Sequence, residues 1–118
     1  MQRDELRAYC LSLKGAVEEF PFGDDAAVFK VMGKMFALIP VNGPLAISLK
    51  CDPDVAIMLR DTYPSITAAY HMNKRHWNQI SADGSVPDDE ICNWVDHSYG
   101  QVVKGLTKAQ QKQLRDLA

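Results

Sequence analysis

The chain has 118 residues, of which 47% are hydrophobic and 24% are charged. This length and balance are typical of one globular domain, so we expect a single domain over residues 1–118. They exclude collagen-like, low-complexity and disordered chains. The formal net charge of −2 argues against a protein that coats nucleic acid non-specifically.

The chain shows no sign of a membrane segment or a targeting signal. Its longest nearly apolar run, Met35–Val41, falls far short of the roughly 20 residues that a bilayer requires. Residues Met1–Glu5 contain neither a hydrophobic signal core nor an Arg-rich transit pattern, so we expect a cytoplasmic protein. Cys10, Cys51 and Cys92 are odd in number and form no CxxC pair, which favours reduced, mostly buried thiols.

Four helices are predicted from apolar spacing and end signals. Asp52-Pro53 begins the second helix with a cap and a first-turn proline. The acids Asp88–Glu90 lie at the start of the third, which Gly105 ends. Thr107 and Gln110 form a capping-box pattern for a short fourth. The predicted apolar faces are Leu6, Tyr9, Cys10 and Leu13; Val55, Met58 and Leu59; and Ile91, Trp94, Val95, Tyr99, Val102, Val103 and Leu106.

Strands are predicted between the first two helices and again before the third. Gly33-Lys34 is read as a two-residue hairpin turn and Asn42-Gly43 as a second reversal. The order of elements predicts an α+β fold, a two-layer sandwich of an antiparallel-rich sheet packed against helices. The predicted strands are Val17–Phe20, Ala26–Met32, Met35–Pro40, Leu45–Lys50 and Trp77–Ser81.

The charges are unevenly distributed along the chain. All fifteen acids fall outside residues 26–51 and 62–82, and these two windows contain Lys30, Lys34, Lys50, Lys74 and Arg75. One interpretation is a basic sheet face that neutralises phosphates. The other is that strands disfavour Asp and Glu and that lysines protect exposed strands from aggregation.

The segment His71–Trp77 combines cations, an amide and an indole. Lys74 and Arg75 suit phosphate oxygens, Asn73 suits a base or sugar, and Trp77 suits stacking. The alternative is that Asn73 serves a turn and that Trp77 is a core anchor at the start of a strand. We favour the core for Trp77 and exposure for the two cations.

Motifs of catalysis and cofactor binding are missing from the sequence. It contains no GxSxG, HExxH, EF-hand or GxGxxG pattern, and His71 and His76 have no nearby Cys to complete a zinc site. Asp96-His97-Ser98 are adjacent in a helix, so their side chains diverge and cannot form a triad. We expect no enzymatic activity, no cofactor and no metal site.

Four groups of residues carry a family resemblance. They are Ser48-Leu49-Lys50; His71, Asn73, Lys74, His76 and Trp77; Asp83-Gly84-Ser85, Pro87, Asp88 and Ile91; and Val95, Asp96, Ser98, Tyr99 and Val102. This combination resembles the MmcQ/YjbR family of small bacterial proteins. The resemblance spans nearly the whole chain and is tightest from Ser48 to Val102.

The resemblance implies a fold similar to that of the frataxin-related CyaY proteins and a DNA-binding role through a sheet arrangement likened to a "double wing". Lys50, Lys74, His76 and Trp77 would carry that role, with Asn73 beside them. Frataxin relatives also suggest iron binding on an acidic ridge of the first helix. This helix has only Asp4 and Glu5, interleaved with Arg3 and Arg7, which is too few acids for such a ridge.

The leading hypothesis is a non-enzymatic DNA-binding protein that uses a basic sheet face and the Asn73–Trp77 segment. Its contacts would be Lys30, Lys34, Lys50, Asn73, Lys74, Arg75, His76 and Trp77. With so few cations we expect modest affinity and about three to five phosphates contacted.

Two other interpretations stay open. The alternative is a protein- or peptide-interaction module, monomeric or weakly homodimeric, in which Val28 and Met32 flank Lys30 on an apolar outer face. A small-molecule site lined by Tyr70, His71, Asn73 and His76 is the third possibility.

Overall fold

The computed structural model describes residues 1–69 and 72–117, and within them it contains four α-helices, one short 3-10 helix (Gly23–Asp25) and six strands. No helix in these ranges combines the length and apolar character needed to cross a bilayer. The helices are α1 (Arg3–Ser12), α2 (Pro53–Thr62), α3 (Asp88–Lys104) and α4 (Lys108–Arg115). The strands are β1 (Ala16–Glu19), β2 (Ala26–Val31), β3 (Lys34–Pro40), β4 (Ala46–Lys50), β5 (Ile66–Ala68) and β6 (Trp77–Ser81).

The strands form one sheet in the order β1-β2-β3-β4-β6-β5, and every neighbouring pair is antiparallel. The expected α+β class is therefore confirmed. Of the five predicted strands, all are present with boundaries shifted by one residue or less. The three-residue strand β5 was not predicted, because its Ile66-Thr67-Ala68 sequence is too short to show alternation.

Three helices cover one face of the sheet and enclose the core. Helix α3 lies across β3 and β4, α1 lies against β1, and α2 lies against β5 and β6. Phe29, Ala37, Ile47, Leu49 and Ile80 point to this side and are buried in the core cluster. The alternation along each strand therefore leaves the other side, here called the outer face, without a helix.

Side chains on the outer face follow from the strand pairing. Lys30 pairs with Met35 across β2 and β3, and Lys50 pairs with Trp77 across β4 and β6. Because β3 runs antiparallel to β2 and β4, these two pairs lie toward the same end of the sheet. That end also holds the β2–β3 hairpin.

The hairpin turn lies one residue earlier than predicted. Its central residues are Met32 and Gly33, with φ values of 50° and 80°, and Lys34 is already the first residue of β3. Two positive φ values match the twist of an antiparallel hairpin. Glycine adopts this conformation freely, and Met32 adopts it because its side chain packs against the core cluster.

The β2–β3 pairing contains a bulge that is completed from α3. The register shifts between Phe29 and Lys30, which leaves Phe36 as the extra residue of β3. Ser98 is fully buried; its Oγ donates to the Phe36 carbonyl at 2.6 Å and accepts the Lys50 N–H at 2.8 Å. A helix hydroxyl thus bridges β3 and β4 where their direct pairing stops.

Helix α2 is held against the sheet edge by one buried amide. Asn78 on β6 donates its Nδ2 to the Ala56 carbonyl at 3.1 Å. Ala56 and Leu59 are the buried residues of α2. The prediction that Met58 belongs to the buried face is wrong, since its side chain is 51% exposed. The buried face of α2 is the one turned toward β5 and β6, which the helix contacts at the edge of the sheet.

Replacing Ser98 with alanine should destabilise the fold by about 2–4 kcal/mol. The change leaves a buried carbonyl on Phe36 and a partly buried N–H on Lys50 without partners, and each unpaired buried group costs about 1–3 kcal/mol. Urea unfolding of Ser98→Ala would measure the loss.

The matched control is Ser12→Ala, because the Ser12 hydroxyl donates to the Tyr9 carbonyl on an exposed helix surface. That control should stay within about 0.5 kcal/mol of the unchanged protein. Equal stabilities for the two variants would contradict the bridging role of Ser98.

Candidate nucleic-acid interface

Five cations lie around one end of the sheet, although they come from four separate stretches of sequence. The end of β4, the start of β3 and the start of β6 all meet there, because β4 is antiparallel to both neighbours. The segment before β6 lies there as well, since the Cys51 N–H donates to the His76 carbonyl. We call this region the basic end, made of Lys34, Lys50, Arg60, Lys74 and Arg75.

Two lysines of the basic end share an open cleft with an indole. This lysine cleft has a volume of about 290 Å³. Lys50 is fixed there through its backbone N–H on Ser98 and by its pairing with Trp77. The lining residues are Lys34, Met35, Lys50, Trp77, Val102 and Gly105.

Trp77 starts a strand as predicted, but its predicted place in the core is wrong. It is partly exposed and lies outside the core cluster, because its neighbour Asn78 takes the inward position on β6. An outward indole beside Lys50 is available to a flat ligand in the lysine cleft.

The other three cations line a second cleft of about 300 Å³, which we call the arginine cleft. Arg60 reaches across from α2 and donates from Nη1 to the Lys74 carbonyl at 3.0 Å. Lys74 and Arg75 are exposed. Asp54 is the acid in the lining, which consists of Pro53, Asp54, Ile57, Arg60, Ala68, Lys74 and Arg75.

Asn73 and His76 shape the segment that presents these cations. The Asn73 side-chain oxygen accepts the Arg75 N–H at 3.0 Å, and its backbone carbonyl accepts the N–H groups of His76 and Trp77. Asn73 therefore stabilises the turn, which is the alternative to the base or sugar contact considered for it above. His76 is partly buried and ties the segment to the end of β4. Tyr70 and His71 lie outside the described residues.

Lys30 is the predicted cation that the structure sets apart. Its Nζ lies 3.0 Å from Glu19 Oε1, so its charge is already compensated. The basic sheet face that one interpretation predicted therefore includes an acid, Glu19, which β1 brings beside β2. The sequence windows missed it because Glu19 lies outside both.

The apolar outer patch predicted around Lys30 is also wrong. Val28 is only 1% exposed, and Met32 sits in the turn and packs on the core cluster. The outer face instead carries an apolar pocket formed by different residues, namely Phe22, Ala26, Met35, Leu38 and Met72.

The sequence did not single out Arg60, because the segment of α2 also contains the acids Asp54 and Asp61. A signal was present in the spacing. Pro53, Ile57 and Arg60 are related by four and seven positions, so they share one helix face. That face is the one that meets Lys74 and Arg75.

The Asp96-His97-Ser98 run has three divergent partners, as its spacing predicted. Asp96 accepts the Tyr9 hydroxyl at 2.8 Å, and His97 Nε2 accepts the Asp52 N–H at 3.2 Å. Asp52 in turn caps α2 through its side chain. His97 and Ser98 thus hold the junction between β4 and α2, on which the positions of Lys50 and the arginine cleft depend.

The thiols are free, as expected, and two are deeply protected. Cys10 and Cys51 are buried and Cys92 is partly buried. Burial raises the pKa of Cys10 to about 12 and that of Cys51 to about 11, so both stay protonated and are poor nucleophiles. Within residues 1–69 and 72–117, no group of three or more His, Cys, Asp or Glu is placed to hold a metal ion.

Acid should weaken the fold through His97. Burial lowers the pKa of His97 below its ordinary value of 6.5, with the Asp52 charge opposing the shift and the Lys104 charge adding to it. As the pH falls below 6.5, the unfolded chain takes up the His97 proton before the folded protein does. The His97 contribution to the free energy of unfolding is therefore complete above the unfolded pKa and is lost as the pH falls through the lower pKa of the folded state.

Urea unfolding between pH about 7.5 and about 5 would measure this effect. His97→Gln keeps an acceptor for the Asp52 N–H but does not titrate, so its free energy of unfolding should fall less steeply with acid. Other titrating groups are common to both proteins. Parallel curves would show that His97 is not responsible.

Comparison with known proteins places the chain among relatives of its own size. Residues 11–101 match the model of a family described as YjbR. A protein of Escherichia coli K12 named "Uncharacterized protein YjbR" is 36% identical, covering 99% of this chain and 100% of the relative. "Uncharacterized protein YbdF" of Escherichia coli O157:H7 is 37% identical, covering 81% of this chain and 80% of that one.

Solved structures agree with this architecture. The crystal structure of Deinococcus radiodurans protein DR2400, described as a DUF419 domain, has a TM-score of 0.88 at 42% identity. It covers 95% of this chain and 86% of the other. A crystal structure of a Pseudomonas syringae protein has a TM-score of 0.73 at 29% identity, covering 86% of this chain and 98% of that one.

Proposed function

The chain belongs to the YjbR family, and we propose that it binds the phosphate backbone of nucleic acids with the basic end of its sheet. The function is one of binding, with no chemical step on the nucleic acid. The contacts are Lys34 and Lys50 in the lysine cleft and Arg60, Lys74 and Arg75 in the arginine cleft. This role agrees with the DNA-binding role that the family resemblance implies.

The observation that carries the proposal is the state of these five cations. In the described part of the chain, the ion pairs involve Met1, Arg7 and Lys30, and none involves a cation of the basic end. Five positive charges that converge from four stretches of sequence without carboxylate partners form an electrostatic footprint for a polyanion.

The side chains also suit phosphate geometrically. Arg75 and Arg60 offer planar guanidinium groups that can bind two phosphate oxygens at once, and the lysines act as point charges. Exposure of Lys74 and Arg75 lets them reach a strand without rearrangement. Arg60 already donates one N–H to the Lys74 carbonyl, and this hydrogen bond fixes the orientation of its guanidinium group.

Two features limit the affinity. The net charge of −2 means that the whole molecule does not attract DNA, and Asp54 lies inside the arginine cleft. Binding therefore depends on the local potential at the basic end. We expect about three to five phosphates to be contacted and a correspondingly shallow salt dependence.

The protein–peptide alternative receives less support. It depended on Val28 and Met32 as an exposed apolar patch, and both side chains are engaged within the fold. The basic end, by contrast, retains its charges and its access to solvent.

Fluorescence anisotropy of a labelled DNA oligonucleotide, repeated over a range of salt concentrations, would test the proposal. Lys34→Gln and Lys50→Gln should each lower the steepness of the salt dependence by about one, because each removes one phosphate contact. The double variant Lys74→Gln/Arg75→Gln should lower it by about two.

Asn42→Asp is the matched control. It changes the net charge by the same single unit as Lys34→Gln, but it lies exposed in the β3–β4 turn at the opposite end of the sheet. Its salt dependence should equal that of the unchanged protein. If Asn42→Asp and Lys34→Gln reduced the steepness of the salt dependence equally, or if no salt-dependent binding occurred, binding at the basic end would be refuted.

A further inference from the structure

A pocket on the outer face has a floor made by the sheet and walls made by the adjoining segments. Its volume of about 470 Å³ falls in the range of small-ligand sites, roughly 300–1,000 Å³. Ala26 and Leu38 belong to strands β2 and β3, Phe22 precedes β2, and Met72 precedes β6. Together with Met35 these residues line the pocket.

The lining selects an apolar, ring-shaped occupant. All the lining residues that the structure describes are apolar, with one phenyl ring and two thioethers among them. Thioethers and aromatic rings make favourable contacts with a flat aromatic group. Phe22 is 65% exposed, so its ring is accessible to a ligand, and covering it would remove apolar surface from water.

Met35 connects this pocket to the basic end. The same side chain lines both the apolar pocket and the lysine cleft, so the two cavities are neighbours. A ligand that fills both carries an anion at Lys34 and Lys50 and an aromatic ring a short distance away, beyond Met35. A nucleotide unit of a polynucleotide has that combination.

The shape of the pocket distinguishes a single strand from a duplex. In a duplex each base is stacked between its neighbours and shows only its edges in the grooves. A base enters a concave apolar pocket only when it is unpaired or turned out of the stack, and turning it out costs a few kcal/mol. A single strand avoids that cost.

We propose, on the basis of the nucleic-acid function above, that the natural ligand is a single strand whose unpaired base fills the apolar pocket while its phosphates contact Lys34 and Lys50. Trp77, beside Lys50, is placed to stack on a neighbouring base. Because no described side chain of the lining carries a strong hydrogen-bonding group for a base edge, the site accepts bases mainly through their faces and discriminates little between them.

The decisive probe is a pair of single strands with equal charge, one with bases and one built from abasic units. The unchanged protein should bind the base-bearing strand about 5- to 100-fold more tightly, the range expected for stacking of about one base. It should also bind that strand more tightly than a duplex of the same length.

Two variants separate the pocket from the cations without altering charge. Phe22→Ser removes a wall, and Ala26→Leu fills the pocket; both should reduce the preference for the base-bearing strand. Phe20→Ser is the matched control, because Phe20 is also exposed, at 48%, but lines a cavity beside Arg3 and Arg7 instead. It should keep the preference. Circular dichroism would verify folding, and Phe22→Ser alone suffices if Ala26→Leu does not fold.

The outcomes distinguish this inference from the function on which it rests. Equal affinity for the two single strands, or a preference that Phe22→Ser leaves intact, would overturn the base pocket. If Lys34→Gln still weakened binding to both strands, the proposed backbone function would stand without it. Absence of salt-dependent binding to either strand would overturn both.

Discussion

The buried hydroxyl of Ser98 joins the helical layer to the sheet at the point where the candidate interface is built. It donates to Phe36 and accepts from Lys50, so it completes the bulge of β3 and fixes the last residue of β4. One residue earlier on α3, His97 accepts the N–H of Asp52, the cap of α2. The positions of Lys50, α2 and Arg60 all depend on these two adjacent side chains.

An antiparallel sheet explains how a chain with a net charge of −2 presents a local cluster of cations. Neighbouring strands run in opposite directions, so the start of β3, the end of β4 and the start of β6 meet at the basic end. This brings Lys34 close to Lys50. The apolar pocket adjoins this cluster through Met35. Charge and apolar surface thus form neighbouring compartments, an arrangement that suits the proposed polynucleotide ligand.

Much of the fold was predictable from local signals. The Asp52-Pro53 start of α2 and the Thr107–Gln110 capping box of α4 both occur as predicted, because caps involve residues close in sequence. The resemblance to the MmcQ/YjbR family is likewise confirmed by the family match. The errors include Met58, which is exposed, Trp77, which lies outside the core cluster, and the unpredicted strand β5. Local periodicity carries no information about which neighbour an element meets.

The residues of the candidate site likewise fall into those that local sequence indicates and those that only tertiary contacts bring together. The sequence by itself determined that Lys34, Lys50, Lys74 and Arg75 lie in acid-free stretches, since that is a property of order along the chain. Only the tertiary structure decided that Arg60 joins them, that Glu19 compensates Lys30, and that Trp77 faces outward. Each of these depends on strand pairing or helix packing between residues that are distant in sequence. Electrostatic and packing energies depend on how close two groups lie in space, which their order along the chain does not give.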